Sequence, residues 1–255
     1  MLEVHGLTKH YSAIPAVDDV SFTIHPGEVL GYLGPNGSGK STTVKMITGL
    51  LDPTRGHVYF HGRDIKDDLP GYKRSVGYVP EEPHIYPYLT GREYLLLVGR
   101  LRCLPEKALG EKADALLRLF GLQSDRHSLM ASYSKGMRQK VLICSALLHD
   151  PELLVFDEPL SGLDVTTALV FRDLVRALAS RGKIILYSSH VLETVEKVCS
   201  RVVILKRGRI AADGDVLELR DLLQAPSLES VFAQLVLQES TEGIASDIAD
   251  AMRIA

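Results

Sequence analysis

The sequence predicts an α/β domain: a mixed β-sheet covered by helices, with a mostly helical lobe inserted into it. Three observations carry that expectation. From Glu28 a strand runs into a glycine-rich turn and then a helix that stops at Gly49. Leu153-Leu154-Val155-Phe156 is a continuous apolar run, the pattern of a strand buried on both faces of a parallel sheet. Strands then alternate with helical segments as far as Leu205.

Taken in order, Leu2 to Leu7, Ser21 to Ile24 and Glu28 to Leu33 read as strands, and the helix from Lys40 has Gly49 as a suitable C-cap. Val58 to Phe60 and Val76 to Val79 are further short strands. Pro105 opens a segment in which Leu109, Ala113, Leu116, Leu117 and Phe120 recur at helical spacing until Gly121. Residues 91–148 are thus expected to form the helical lobe, and residues 1–90 and 149–214 the α/β core. Within the second part of the core, Val165 to Ser180 reads as a helix, Ile184 to Tyr187 as a strand, the stretch after Val191 as a short helix and Val202 to Leu205 as a strand. Residues 215–255 form a C-terminal helical extension: Leu228, Val231, Phe232, Leu235 and Val236 share one helical face that should dock on the core, and from about Glu239 the chain is polar enough to fray.

Composition narrows the class. With 45% hydrophobic and 24% charged residues over 255 positions, the chain has the apolar content for a substantial core. A net charge of -3 offers no overall positive field, so nucleic acid is not an expected partner. No apolar run approaches the roughly 18 residues of a membrane helix, and the first residues lack the features of a signal peptide. The chain is expected in the cytoplasm unless something holds it at a membrane. Cys103, Cys144 and Cys199 lack ligand spacing and read as reduced thiols, the last two in core segments. His5, His10, His25, His57, His61, His127 and His149 also show no ligand spacing and read as surface or turn residues.

The chemistry begins at Gly34-Pro35-Asn36-Gly37-Ser38-Gly39-Lys40-Ser41, which matches G-x-x-x-x-G-K-[ST] between a strand and a helix. This is a P-loop. Its glycines let backbone N–H groups turn inward around a polyphosphate, and the helix N-terminus adds partial positive charge. Lys40 is expected to reach the β and γ phosphates of ATP, Ser41 to ligate Mg²⁺ and Thr42 to belong to the nucleotide-binding set. Leu153 to Phe156 then resembles a Walker B strand carrying Asp157 to the sheet edge as a metal carboxylate, with Glu158 beyond it to polarise the attacking water.

Tyr133-Ser134-Lys135-Gly136-Met137-Arg138-Gln139, just upstream of that strand, resembles the signature of the ABC (ATP-binding cassette) family, a variant of L-S-G-G-Q. Ser161-Gly162-Leu163-Asp164 is similar to the family's D-loop, His190 after Ser188-Ser189 to its switch histidine, and Tyr11 to the aromatic residue that stacks on adenine. The resemblance spans roughly Leu2 to Gly214. It implies a RecA-like P-loop NTPase core, Mg²⁺-dependent ATP hydrolysis by Glu158 and His190, and an ATP site built from two chains. Ser134 and the N–H groups near Gly136 begin a helix, an anion site, which family architecture places far from the same chain's P-loop. They would complete the site of a second cassette facing head to tail, a homodimer being self-sufficient with this motif set. A separate transmembrane permease subunit is the other implied partner, with this chain peripheral on the cytoplasmic face of the membrane.

One position departs from the family pattern. Val76-Gly77-Tyr78-Val79-Pro80 leads to Glu81 instead of the usual glutamine; its carboxylate can still ligate Mg²⁺ directly or through water, but the amide donor is gone. Glu81, the Tyr-Ser-Lys-Gly-Met signature and Leu228-Glu229-Ser230-Val231-Phe232 together resemble bacterial export cassettes for drugs, antibiotics, polysaccharides or ions. The aromatics of Pro83 to Leu89 read either as a seat for the membrane subunit or as closure of the lobe's own core. The competing function is a soluble ABC ATPase acting on ribosomes or DNA; the paired cassettes, long coiled-coil insertions and basic patches of that class are absent from this sequence. A regulator that does not hydrolyse ATP is disfavoured by the presence of both Glu158 and His190.

Overall fold

A computed structural model describes residues 1–82 and 85–236. The core opens with β1 (Leu2–His10), β2 (Pro15–Ile24), β3 (Val29–Leu33), α1 (Lys40–Ile47), β4 (Arg55–Phe60), β5 (Arg63–Asp64), α2 (Leu69–Arg74) and β6 (Val76–Val79). A helical stretch follows, with α3 (Gly91–Leu101), α4 (Glu106–Leu119) and α5 (Lys135–Leu147). The chain then returns to β7 (Leu153–Asp157), α6 (Val165–Ser180), β8 (Ile184–Ser188), α7 (Leu192–Val198), β9 (Arg201–Lys206), β10 (Arg209–Asp215), α8 (Val216–Leu222) and α9 (Leu228–Val236). Pro83, His84 and the polar stretch from Glu239 lie outside the described residues.

Two sheets result. A six-stranded sheet has the order β10-β9-β3-β8-β7-β6, parallel from β9 to β6 with β10 antiparallel on its edge. The sheet is therefore mixed. Its central strands β3, β7 and β8 are buried at every residue, as their continuous apolar runs require. Each such Val, Leu, Ile or Phe side chain contributes about 1.5–3 kcal/mol by leaving water. An antiparallel sheet, β2-β1-β4-β5, packs over the other side, with Leu2, Val4, Leu7, Tyr32 and Met46 in the layer between.

β1 and β2 are longer than the sequence periodicity indicates. Register shifts after Val4 and Leu7, with Gly6 at φ 58°, break the two-residue alternation that marks a strand. β10 and α2 escape sequence reading for related reasons. Arg209–Asp215 carries no apolar alternation and pairs as an edge strand, while Leu69-Pro70-Gly71 looks like a turn but is started by Asp68, whose carboxylate accepts from Gly71 N–H at 2.9 Å.

The helical stretch is fixed by local chemistry. Thr90 and Glu93 form a reciprocal capping box at the start of α3, Arg92 pairs with Asp114 of α4 at 2.8 Å, and Leu95, Leu109, Ala113, Leu117 and Ile143 share one core. The apolar face of α9 docks as its spacing requires, with Leu228 and Val231 fully buried. Lys206 Nζ donates to the Leu235 carbonyl at 2.9 Å near that helix's C-terminal end.

Candidate active site

The strand order places four chain segments side by side. At the C-terminal ends of β3, β8, β7 and β6, neighbours in the sheet, lie respectively the Gly34–Gly39 loop, Ser189-His190, Asp157-Glu158 and Glu81. Asp157 pairs across the sheet with Ser188 and Phe156 with Tyr187, which fixes the level of these ends. They enclose a cleft of about 290 Å³. Asn36, Gly37, Gly39, Lys40, Ser41 and Thr42 form its floor, and Glu81, Asp157, Glu158 and His190 its wall, with Ala16 at the rim.

The floor is built to receive an anion. α1 begins at Lys40 without a side-chain cap and without an acidic residue in its first turn, so its leading N–H groups remain free donors. Gly39 holds φ 104°, and a Cβ there would stand 2.5 Å from the Ala16 carbonyl oxygen, so glycine is required on both counts. Lys40 Nζ donates to the carbonyl oxygens of Gly34 at 2.6 Å and Pro35 at 3.1 Å, curling the ammonium into the loop's own centre. Burial lowers the Lys40 pKa, and the Glu158, Asp157 and Glu81 carboxylates oppose that shift. Ser38 Oγ is buried with no partner.

On the wall, burial pushes the Asp157 carboxyl up to about 6, and the Glu81 and Glu158 charges add to the shift. Glu81 and Glu158 thus stand as two further carboxylates beside the buried Asp157, with the Lys40 ammonium opposing the shift. Glu158 sits in the left-handed region at φ 49° and is 9% exposed. Its backbone N–H donates to Ser188 O at 3.0 Å, Ser189 Oγ donates to its Oε2 at 3.3 Å, and His190 Nδ1 lies 2.8 Å from the same oxygen.

Other residues singled out from the sequence lie apart from this cleft. Ser134 caps α5, its Oγ accepting from Met137 N–H at 3.2 Å, and neither it nor Gly136 lines the cleft. Gly136 instead packs on the D-loop, where an added Cβ would collide with the Gly162 carbonyl. Pro35 and Ser38 face a second hollow together with Lys206 and Val236, behind the loop. Tyr11 stands 65% exposed in the β1–β2 turn, with Lys9 Nζ 5.7 Å above its ring, and it too is outside the cleft lining. That turn nevertheless leads to Ala16 at the rim. Tyr86 and Tyr88, after the Glu81 segment, are 62% and 85% exposed.

Two contacts that take part in this arrangement are not legible in the sequence, although Gln139 ends the signature-like run. Gln139, fully buried, donates its amide N–H to Pro159 O at 3.1 Å, and Lys140 pairs with Asp164 at 3.3 Å. Both tie the signature helix α5 to the segment that follows Glu158. Only the i, i+3 spacing from Gly136 to Gln139 hints that they share a face.

ATP and Mg²⁺ fit these residues. Free N–H donors and a lysine whose hydrogen bonds go only to backbone carbonyls suit a polyphosphate. For Mg²⁺, the cleft offers hard oxygen donors, the Ser41 hydroxyl and the Asp157 and Glu81 carboxylates, the kind of ligand this ion takes alongside waters and substrate phosphates.

A family profile described as ABC transporter matches residues 17–161. The chain is 38% identical over 243 residues to the uncharacterized ABC transporter ATP-binding protein YxlF of Bacillus subtilis (strain 168), covering 95% of this chain and 79% of that protein. It is 34% identical to the ABC-type transporter ATP-binding protein EcsA of the same organism, covering 94% and 98%. The linearmycin resistance ATP-binding protein LnrL, also of that organism, is 35% identical over 86% of this chain and 70% of its own. Among solved structures, an ATP-binding subunit of an ABC transporter superposes with a TM-score of 0.87 at 37% identity, covering 92% of this chain and 99% of that one. A dimeric ATP-binding cassette, MJ0796, in a post-hydrolysis state bound to ADP and Pi, gives 0.78 at 26% identity, covering 84% and 98%. Among the described residues no helix is long and apolar enough to cross a membrane. A glycine-rich loop and a carboxylate pair at adjacent strand ends, a signature-like segment outside their cleft, and relatives matched over nearly the whole chain lead to one conclusion: this protein belongs to the ABC transporter family as an ATP-binding subunit, an ATPase with the P-loop α/β fold.

Proposed function

We propose that two copies of this chain bind Mg²⁺–ATP head to tail and drive export by a separate transmembrane permease, from the cytoplasmic face of the membrane. The observation that carries the reading is the split of the ATP-binding chemistry over two surfaces. Lys40, Asp157 and Glu158 converge on one cleft, while Ser134 and Gly136 at the start of α5, a helix N-terminus suited to an anion, are not among the residues lining it. A second chain reconciles the two, and the dimeric form of a solved cassette supports it. Resistance to an antibiotic in the name of LnrL supports the direction of transport.

In this reading Lys40 leaves the Gly34 and Pro35 carbonyls for the β and γ phosphates, cradled by the Gly34, Pro35, Asn36, Gly37, Ser38 and Gly39 loop. Ser41 and Asp157 would hold Mg²⁺, Glu81 would assist directly or through water, and Thr42 would add a phosphate contact. The metal ion, when bound, neutralises developing charge on the phosphoryl oxygens. Glu158 orients a water and accepts its proton, and His190 keeps that carboxylate in place. Tyr11 offers a stacking face for adenine, and the exposed Tyr86 and Tyr88 a seat for the permease.

Glu158→Gln tests the reading. The amide keeps size and hydrogen bonding but accepts no proton, and losing a general base costs about 10² to 10⁴ in rate. The variant is expected to bind Mg²⁺–ATP and accumulate as a dimer by mass action, seen by size-exclusion chromatography with light scattering. Ser134→Arg added to it should abolish the dimer by blocking the partner's phosphate site. A double variant that dimerises as well as the single one would falsify the head-to-tail arrangement.

A further inference from the structure

Glu158 occupies a conformation that its own sequence opposes. A residue before proline is steered to an extended backbone, and a non-glycine residue with positive φ is held only when its surroundings over-determine it. Glu158 precedes Pro159 and sits at φ 49°. On the N-terminal side its N–H is fixed by Ser188 O at 3.0 Å. On the C-terminal side the Pro159 carbonyl accepts the Gln139 side-chain N–H at 3.1 Å.

Gln139 is an unusual residue for its place. It lies on α5 with no exposed surface, and its Oε1 is buried without a partner. A buried amide with half of its capacity unmet is unfavourable, so the half that is met points to a use. The same helix grips the following loop twice more, through Gly136 against Gly162 and through Lys140 with Asp164 at 3.3 Å. α5 and residues 159–164 are therefore tied together.

We infer that Gln139 is a positioning residue for Glu158, pinning the Pro159 carbonyl so that the carboxylate is held in the left-handed conformation that aims it into the cleft. The inference rests on the reading of Glu158 as the carboxylate that orients water. A misplacement of about 1 Å in such a group costs up to about 10²-fold in rate, so loss of the tether acts on turnover and leaves ATP affinity alone.

The test uses the full chain with Gln139→Met, which keeps length and volume but removes the donor, and Gln139→Glu, which regains a donor only when protonated. For Gln139→Met, kcat is expected to fall about 10-fold or more, with the Kd for Mg²⁺–ATP changed less than about twofold. For Gln139→Glu, the rate relative to wild type should rise as pH falls from about 8 to about 6, because burial raises a carboxyl pKa into that range. A purely structural amide would show its acid rescue only in the melting temperature and folded fraction, so the ratio is taken as kcat at saturating Mg²⁺–ATP per folded chain, at a temperature where the variant stays folded across the pH range. Wild-type kcat in Gln139→Met, equal losses in kcat and affinity, or a Gln139→Glu rate ratio that does not depend on pH would each overturn the inference. If Gln139→Met does not fold, the pH profile of Gln139→Glu decides alone. Glu158→Gln run alongside separates the two readings: full activity there removes the role of Glu158 itself, whereas a slow Glu158→Gln beside a fast Gln139→Met removes only the tether.

Discussion

His190 Nδ1 lies 2.8 Å from Glu158 Oε2, and Ser189 Oγ reaches the same oxygen at 3.3 Å, so one carboxylate oxygen is fixed by two groups from the end of β8 while the carboxylate itself belongs to β7. The imidazole is three-quarters exposed, so its pairing with Glu158 adds little to folding stability. In the proposed reading its role is to orient the Glu158 carboxylate. His190→Ala is expected to lower kcat about 10²-fold, within the span of a lost positioning or acid–base group. The melting temperature and ATP affinity should stay near wild type. Phosphate-release kinetics beside isothermal titration would check this, and a matching loss in both would refute it.

Lys40 gives a contrasting expectation. Its ammonium is already held by the Gly34 and Pro35 carbonyls, so the loop keeps a cation at its centre whether or not phosphate is there. Lys40→Ala removes a charge-assisted contact worth about 1.5–3 kcal/mol. ATP affinity should fall roughly 10- to 150-fold, as measured by titration with Mg²⁺–ATP. Unchanged affinity would mean that the loop does not bind the polyphosphate.

Glu81 lines the cleft from the β6 end and bears electrostatically on both Asp157 and Lys40. Either a carboxylate or an amide oxygen can serve Mg²⁺ or its water shell. Glu81→Gln is therefore expected to retain ATPase turnover to within about threefold, with weaker repulsion on Asp157. Collapse of turnover to background would assign the carboxylate a proton-transfer duty of its own.

Much of this site was legible because its parts are local. The Gly34 to Ser41 loop, the run into Asp157 and the Ser134 cap each need only a few consecutive residues, and the burial of β3, β7 and β8 follows from uninterrupted apolar runs. What escaped reading is made between distant segments. Nothing in the neighbourhood of Gln139 announces that its amide meets Pro159, and nothing before Glu158 announces a φ of 49°. His149 is a turn residue as its context suggests, yet its ring points inward: Nε2 lies 3.0 Å from Val76 O, Nδ1 is buried without a partner, and burial lowers its pKa to about 4. Such contacts depend on which strand lies beside which.

Asp157 yields a prediction that can be checked without turnover. Its carboxyl is raised from 3.8 to about 6, chiefly by burial and then by the Glu81 and Glu158 charges. The folded chain thus binds this proton more tightly than the unfolded chain between about pH 4 and about pH 6. By linkage its contribution to stability is greatest at the acid end and falls as pH rises through that window. Above it, the ionised and poorly solvated carboxylate destabilises the ligand-free protein by an amount on the order of 2–3 kcal/mol. Asp157→Asn removes that penalty. Its melting temperature, measured without nucleotide, should exceed wild type by roughly 5–10 °C near pH 7.5, and the gain should shrink through the window and vanish only below about pH 3.5. Comparing variant with wild type at each pH cancels the carboxylates that both share. With Mg²⁺–ATP the order should reverse, because the wild-type charge is then neutralised by the metal while asparagine offers only a neutral oxygen. A variant no more stable than wild type near pH 7.5 without nucleotide would mean that Asp157 is comfortably solvated or already compensated, and the burial penalty on its carboxylate would have to be abandoned.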